Sequence, residues 1–184
     1  NLKAYTMSNN ISRRNFLRLT ALGTSAMMLP SAANALEAPL LAPAKGKKGS
    51  ANDKINIGFI GLGQQAIHLM NGFITIPDVR IVAGADIYDI KRDRFEQRVN
   101  KYYADNKIKN KYTTYIRYEE LLARPDIDAV VIATPDHQHA LMAIAACRAK
   151  KDIYLEKPLT FTIYEGQQLV KAVRENNIIL QVGS

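Results

Sequence analysis

The segment Ile55-Asn56-Ile57-Gly58-Phe59-Ile60-Gly61-Leu62-Gly63-Gln64-Gln65-Ala66 constrains the fold of this chain more than any other. A short apolar run ends at a glycine turn, and a helical pattern starts directly behind it. Such a run, bounded by glycine, predicts a strand buried on both faces. The spacing G-x-G-x-x-A then gives each small residue a task. Gly61 permits the tight turn, Gly63 lets a pyrophosphate approach the backbone, and Ala66 lets the helix pack close on the strand. A helix that begins there offers free N–H groups and a partial positive charge to phosphate oxygens. Gln64 and Gln65 open that helix and join Gly61 and Gly63 as predicted ligand-binding residues.

Behind this turn, strand and helix patterns alternate. Strands are predicted at residues 55–60, 79–85, 129–133, 152–155 and 178–182, with a weaker one at 112–116. Between them, apolar residues recur at helical spacing. The first stripe is Ala66, Leu69, Met70, Phe73 and Ile74, ended by Pro77-Asp78; the second is Phe95, Val99, Tyr102 and Tyr103. A short helix is predicted at 118–123. A stripe of Ala140, Leu141, Ile144 and Cys147 follows, then one of Ile163, Leu169, Val170 and Val173. Thr162 and Glu165 open the last helix with the spacing of a capping box. The alternation predicts an α/β fold with a Rossmann-type doubly wound parallel sheet of about six strands. Right-handed crossovers place every strand's C-terminal end on one edge, where ligands bind.

Residues that leave strands therefore carry the most weight. Asp86 follows Ala66 by 20 residues, at the exit of the second strand. An acid there accepts hydrogen bonds from ribose hydroxyls and repels a 2′-phosphate. NAD is favoured on that ground, while Lys91 and Arg92 nearby keep NADP open. Ala133-Thr134-Pro135-Asp136-His137-Gln138-His139 leaves the fourth strand. Pro135 ends it and Asp136 is a candidate helix cap. Two histidines at i and i+2 of a helix face different sides, so no metal site is predicted. Thr134, Pro135 and His139 are assigned instead to the cofactor or substrate pocket. Glu156-Lys157-Pro158 leaves the fifth strand. A lysine beside a nicotinamide feels its positive charge and partial desolvation, and both favour the neutral amine that accepts a proton. In an arbitrary sequence such a lysine would be a solvated strand end; the glycine turn on the same edge gives it a task.

These pieces, in this order, resemble the Gfo/Idh/MocA family of oxidoreductases over residues 54–184. The matching residues are the glycine turn at 61–66, Thr134-Pro135 with His139, and Glu156-Lys157-Pro158. The resemblance implies an NAD(P)-binding Rossmann domain, a catalytic role for Lys157, cofactor contact by Glu156, and a sugar- or polyol-like substrate. It also implies a second α/β domain that contacts the substrate and forms any homo-oligomer. That domain is expected to be absent from this chain, so a non-catalytic dinucleotide-binding module, or a truncated half lacking its substrate domain, is the alternative. A further branch of the superfamily uses bound NAD to cleave glycosides; it usually departs from E-K-P, and the intact triplet here counts against it.

The formal net charge is +8, but seven of the 25 basic residues and one of the 17 acidic ones lie in residues 1–50. The remainder carries only +2, so the electrostatic footprint of a nucleic-acid binder is missing. Basic residues between five tyrosines in residues 101–118 are better explained as a solvated helix face with partly buried rings than as a single-strand platform. The one cysteine, Cys147, excludes an intramolecular disulfide and a cysteine-based zinc site, and its place in an apolar stripe predicts a buried thiol. Residues 12–17 read Ser-Arg-Arg-Asn-Phe-Leu, with an apolar run to Leu29 and then Ala33-Asn34-Ala35. Residues 1–35 are thus read as a twin-arginine signal peptide, with Met7 a plausible true start. Its apolar run is too short to remain as a membrane span. Residues 36–52, rich in Ala, Pro, Gly and Lys, are read as a flexible linker, and residues 53–184 as the folded domain. A periplasmic or otherwise exported protein is expected.

Overall fold

The computed structural model describes residues 54–183; the predicted leader and linker lie outside the described residues. The elements run β1 (Ile55–Ile60), α1 (Gln64–Phe73), β2 (Val79–Ala85), α2 (Asp89–Asp105), β3 (Thr113–Tyr115), α3 (Tyr118–Leu122), β4 (Ala129–Ile132), α4 (Asp136–Arg148), β5 (Asp152–Leu155), α5 (Ile163–Asn176) and β6 (Leu180–Val182). The strands form one six-stranded sheet in the order β3-β2-β1-β4-β5-β6, and every pair is parallel. This is the doubly wound arrangement expected from the sequence. The direction of winding reverses between β1 and β4, which opens a crevice at their C-terminal ends.

The two faces of the sheet carry separate cores. On one, Ile67 and Met70 of α1 and Phe95 and Val99 of α2 pack with Phe59 and Ile81. On the other, Leu121 of α3, Ala143 and Ala146 of α4 and Leu169 of α5 pack with Ile60, Val130 and Leu155. Cys147 is fully buried there, and burial pushes its thiol pKa up. No described helix is long and apolar enough to cross a membrane.

Two predicted stripes are corrected. In α4 the buried face is His139, Ala140, Ala143, Ala146 and Cys147, while Leu141 is 58% exposed. The large side chains suggested one face, but α4 turns its small residues inward because it must pack against both the sheet and α5. In α5, Ile163 is 85% and Val170 45% exposed; of the predicted stripe Leu169 is buried and Val173 partly so, and Ala172 joins them. The predicted capping box is present: the Thr162 hydroxyl accepts from the Glu165 amide at 3.2 Å, and the Glu165 carboxylate accepts from the Thr162 amide at 2.8 Å. Asp136 does not cap α4. Pro135 takes the cap position, and Asp136 is the first helical residue, where its charge still favours the helix dipole.

At the other edge of the sheet, Lys151 leads into β5. It is 7% exposed, and its ammonium donates to the carbonyls of Arg124 (2.7 Å) and Ile127 (2.8 Å). Burial lowers its pKa, and Asp128 and Asp126 partly oppose the shift. Lys151→Met removes the donor and leaves two carbonyls unpaired. It is expected to lower unfolding stability in urea by about 2 kcal/mol, with NAD affinity unchanged because the site lies at the opposite edge.

Candidate functional site

The sheet register levels the strand ends. Ile60 pairs with Ala85 on one side and Ile132 on the other; Ala85 pairs with Tyr115, Ile132 with Leu155, and Leu155 with Val182. The ladder continues one residue further. The Gly61 amide donates to Ala85 O (2.9 Å), Ala133 to Ile60 O (2.9 Å), Glu156 to Ile132 O (3.0 Å) and Gly183 to Leu155 O (2.8 Å). Gly61, Asp86, Ala133-Thr134 and Glu156-Lys157 therefore leave the sheet at one level. From β2 to β5 is three strand spacings, about 14 Å, the span of an extended dinucleotide rather than of a mononucleotide.

A cleft of about 620 Å³ opens on this edge, a size suited to a small-molecule ligand. Gly61, Gly63, Gln64, Gln65, Asp86 and Thr134 all line it, and so does Pro135. Gly61 has φ +81°, and a Cβ there would stand 2.7 Å from Ala133 O and from Thr134 Cγ2. Gly63 differs: a Cβ there would meet no heavy atom within 4 Å, so the space above it is open to a ligand. Asp86 is held at the mouth of the turn. One carboxylate oxygen accepts from the Leu62 amide (2.8 Å), and the other accepts from the Tyr88 amide (3.0 Å). Its first oxygen also lies 3.9 Å from the Lys91 ammonium, which stands 4.5 Å over the Tyr88 ring. Arg92 is turned away and donates to the Asp86 carbonyl at 2.7 Å. The Thr134 hydroxyl is buried and has no hydrogen-bond partner. An open glycine backbone, a helix start, an orphaned hydroxyl and a fixed carboxylate fit the phosphates and ribose of a dinucleotide.

Two predicted contacts are placed elsewhere. Glu156 is 6% exposed and absent from the cleft wall. Its carboxylate accepts from the Gln65 side-chain amide (3.0 Å) and from the Lys157 main-chain amide (3.1 Å). It ties the glycine-turn helix to the β5 exit. His139 is 1% exposed and also off the wall. Both of its ring nitrogens meet backbone carbonyls, Pro158 O at 2.6 Å and Thr134 O at 2.9 Å. The helical phase of α4 buries it in the sheet and leaves His137, two residues earlier, on the wall. Lys157 is exposed beyond the wall, at the β5 exit, followed by a cis peptide bond to Pro158.

Several wall residues escaped sequence reasoning. Ile87 is 72% and Ile116 59% exposed, and both line the cleft with Tyr118 and Met142. They give the Asp86 end an apolar surface for a flat ring. Gln138 and Met142 line it together because they are four residues apart on α4. That spacing was the available signal; the isoleucines gave none, since they lie in loops after β2 and β3.

Residues 55–184 match the model of the oxidoreductase family with an NAD-binding Rossmann fold. A glycosyl hydrolase family 109 protein of Shewanella baltica (strain OS185) is 31% identical over 172 residues, covering 88% of this chain and 37% of that protein. The chain thus spans well under half the length of that relative. Among solved structures, a 3-ketoreductase from Actinomadura kijaniata in complex with NADP and TDP-benzene superposes with a TM-score of 0.62 and 26% identity, covering 71% of this chain and 37% of the other. Scyllo-inositol dehydrogenase from Lactobacillus casei with bound NAD(H) and scyllo-inositol shares the fold at a TM-score of 0.61 and 21% identity, with 71% and 36% covered. With its glycine turn, its level strand exits and this match, the chain belongs to the Gfo/Idh/MocA family of NAD-binding Rossmann oxidoreductases.

Proposed function

We propose that this chain is the cofactor-binding part of an exported NAD-dependent oxidoreductase that acts on a sugar- or polyol-like alcohol. The observation that carries the reading is the common level of Gly61, Asp86, Thr134 and Lys157 on the edge where the sheet changes direction. NAD, when bound, supplies a hydride acceptor. Free N–H groups at the start of α1, with the open space at Gly63, would hold its pyrophosphate. Asp86 orients the ribose, and Thr134 offers its unpaired hydroxyl. Lys157 accepts the substrate's hydroxyl proton as the carbon bearing that hydroxyl gives up its hydride. The test is NADH formation by the complete enzyme from a panel of polyols and sugars. No NADH from any of them, with NAD binding intact, would favour a module without catalysis.

Asp86 is the cheapest point of control. Asp86→Ala removes the acceptor of two main-chain amides and the ribose contact. Calorimetry is expected to show NAD bound roughly tenfold more weakly or worse. NADP should lose less, because a charge that repels its 2′-phosphate is gone while Lys91 stays.

A second reading follows from the 31% identity to a glycosyl hydrolase family 109 protein. There the hydride taken from the sugar would return to it after the glycosidic bond breaks, so aglycone would be released without net NADH. A steady stoichiometric rise of NADH excludes this reading. Export is proposed from Ser12-Arg13-Arg14-Asn15-Phe16-Leu17 alone. Replacing Arg13 and Arg14 together by lysine should retain the protein in the cytoplasm; unchanged export would refute the route.

A further inference from the structure

His139 has a hydrogen-bonding arrangement that a neutral imidazole cannot satisfy. One ring nitrogen lies 2.6 Å from Pro158 O and the other 2.9 Å from Thr134 O. Both partners are main-chain carbonyls, which only accept. A neutral ring carries one N–H, so one nitrogen would turn its lone pair toward a carbonyl lone pair; the imidazolium donates at both positions. With the ring 1% exposed, water cannot relieve the mismatch. The carbonyls belong to two neighbouring strand exits, Thr134 after β4 and Pro158 after Lys157 at the end of β5.

We propose that His139 is a positioning residue: its doubly protonated ring clamps the Glu156-Lys157-Pro158 turn to the Thr134-Pro135 turn. The clamp is complete in the cationic ring and half made in the neutral one. Ionisable residues on the neighbouring segments are Asp136 and His137 on its own helix, Glu156 and Lys157 at the β5 exit, and Glu165 at the start of α5. None of them bonds to the ring. Glu156 is engaged with Gln65 and the Lys157 amide, and Glu165 with the amides of Thr162 and Phe161. The charge is thus met by carbonyl dipoles. Lys157 gains a defined starting geometry without any contact of its own to the histidine. The role assigned to the clamp rests on the proposed function of Lys157, but the clamp itself is read without substrate.

The experiment is a long-range 1H–15N spectrum of the full chain at pH 6, with the ring assigned by comparison with His139→Gln. The expected result is two ring N–H protons at pH 6. In His139→Gln, where the two-ended contact is lost, the amide signals of Lys157 and Leu159 should move. A ring with a single proton at pH 6, or a His139→Gln spectrum that leaves both amides in place, would overturn the proposal. In the complete enzyme, His139→Gln that still folds and binds NAD should lower kcat roughly tenfold or more with KM little changed, through misplacement of Lys157; an unchanged kcat counts against the clamp. If Lys157→Ala leaves turnover intact, the catalytic reading fails while the ring-proton count still decides the clamp.

Discussion

Lys157→Ala in the complete enzyme is expected to reduce turnover by about 10²–10⁴-fold, the range for loss of a general acid or base, with NAD affinity unchanged. The structure explains why the two effects should separate. Among the described residues the Lys157 ammonium has no hydrogen-bond or ion-pair partner, and the side chain is exposed. Its one recorded hydrogen bond is made by the main-chain amide to Glu156, which alanine keeps. Nothing in the sheet or the cleft wall depends on the side chain. A lysine that stabilises nothing, yet stands at the level of the glycine turn, is available for proton transfer. Stability measured by thermal unfolding should match the parent. Turnover within a few fold of the parent would remove Lys157 from the mechanism.

The second large effect separates two glycines that the sequence presents as a pair. Gly61→Ala adds a Cβ at φ +81° and only 2.7 Å from Ala133 O and Thr134 Cγ2. The left-handed backbone costs about 1–2 kcal/mol, and the clash with main chain adds about 1–3 kcal/mol. The variant is expected to unfold at markedly lower urea and to lose NAD binding because the turn itself is displaced. Gly63→Ala meets no atom within 4 Å and has an ordinary extended backbone. It should fold like the parent, within about 0.5 kcal/mol, yet bind NAD far more weakly because its methyl occupies the space above the helix start. Equal NAD affinity for Gly63→Ala and the parent would place the pyrophosphate elsewhere.

Most of the sheet was legible in the sequence because β1, β2, β4 and β5 are short runs rich in apolar residues, each closed within three residues by glycine, proline or an acid. Those endings also marked the exits, so Gly61, Asp86, Thr134 and Lys157 could be placed on one edge before any contact was known. Helix faces were less legible. Leu141 and Ile163 are larger and more apolar than Ala143 and Ala172, but which face turns inward is set by how closely α4 and α5 approach the sheet, and small residues permit the closest approach. The same limit explains Glu156 and His139. Their positions beside the site were evident, but the direction of each side chain depends on partners far along the chain, Gln65 for one and the Pro158 carbonyl for the other. The apolar wall formed by Ile87 and Ile116 was hidden for a related reason, since loop residues acquire a common face only when the strands before them are paired.

A structure of the NAD complex tests the shared rim most directly. The account predicts the pyrophosphate over Gly63 at the start of α1, the adenosine ribose at Asp86, and the nicotinamide on the β4–β5 side within reach of Lys157. A dinucleotide bound with its nicotinamide toward Asp86, or at a place other than this cleft, would contradict it.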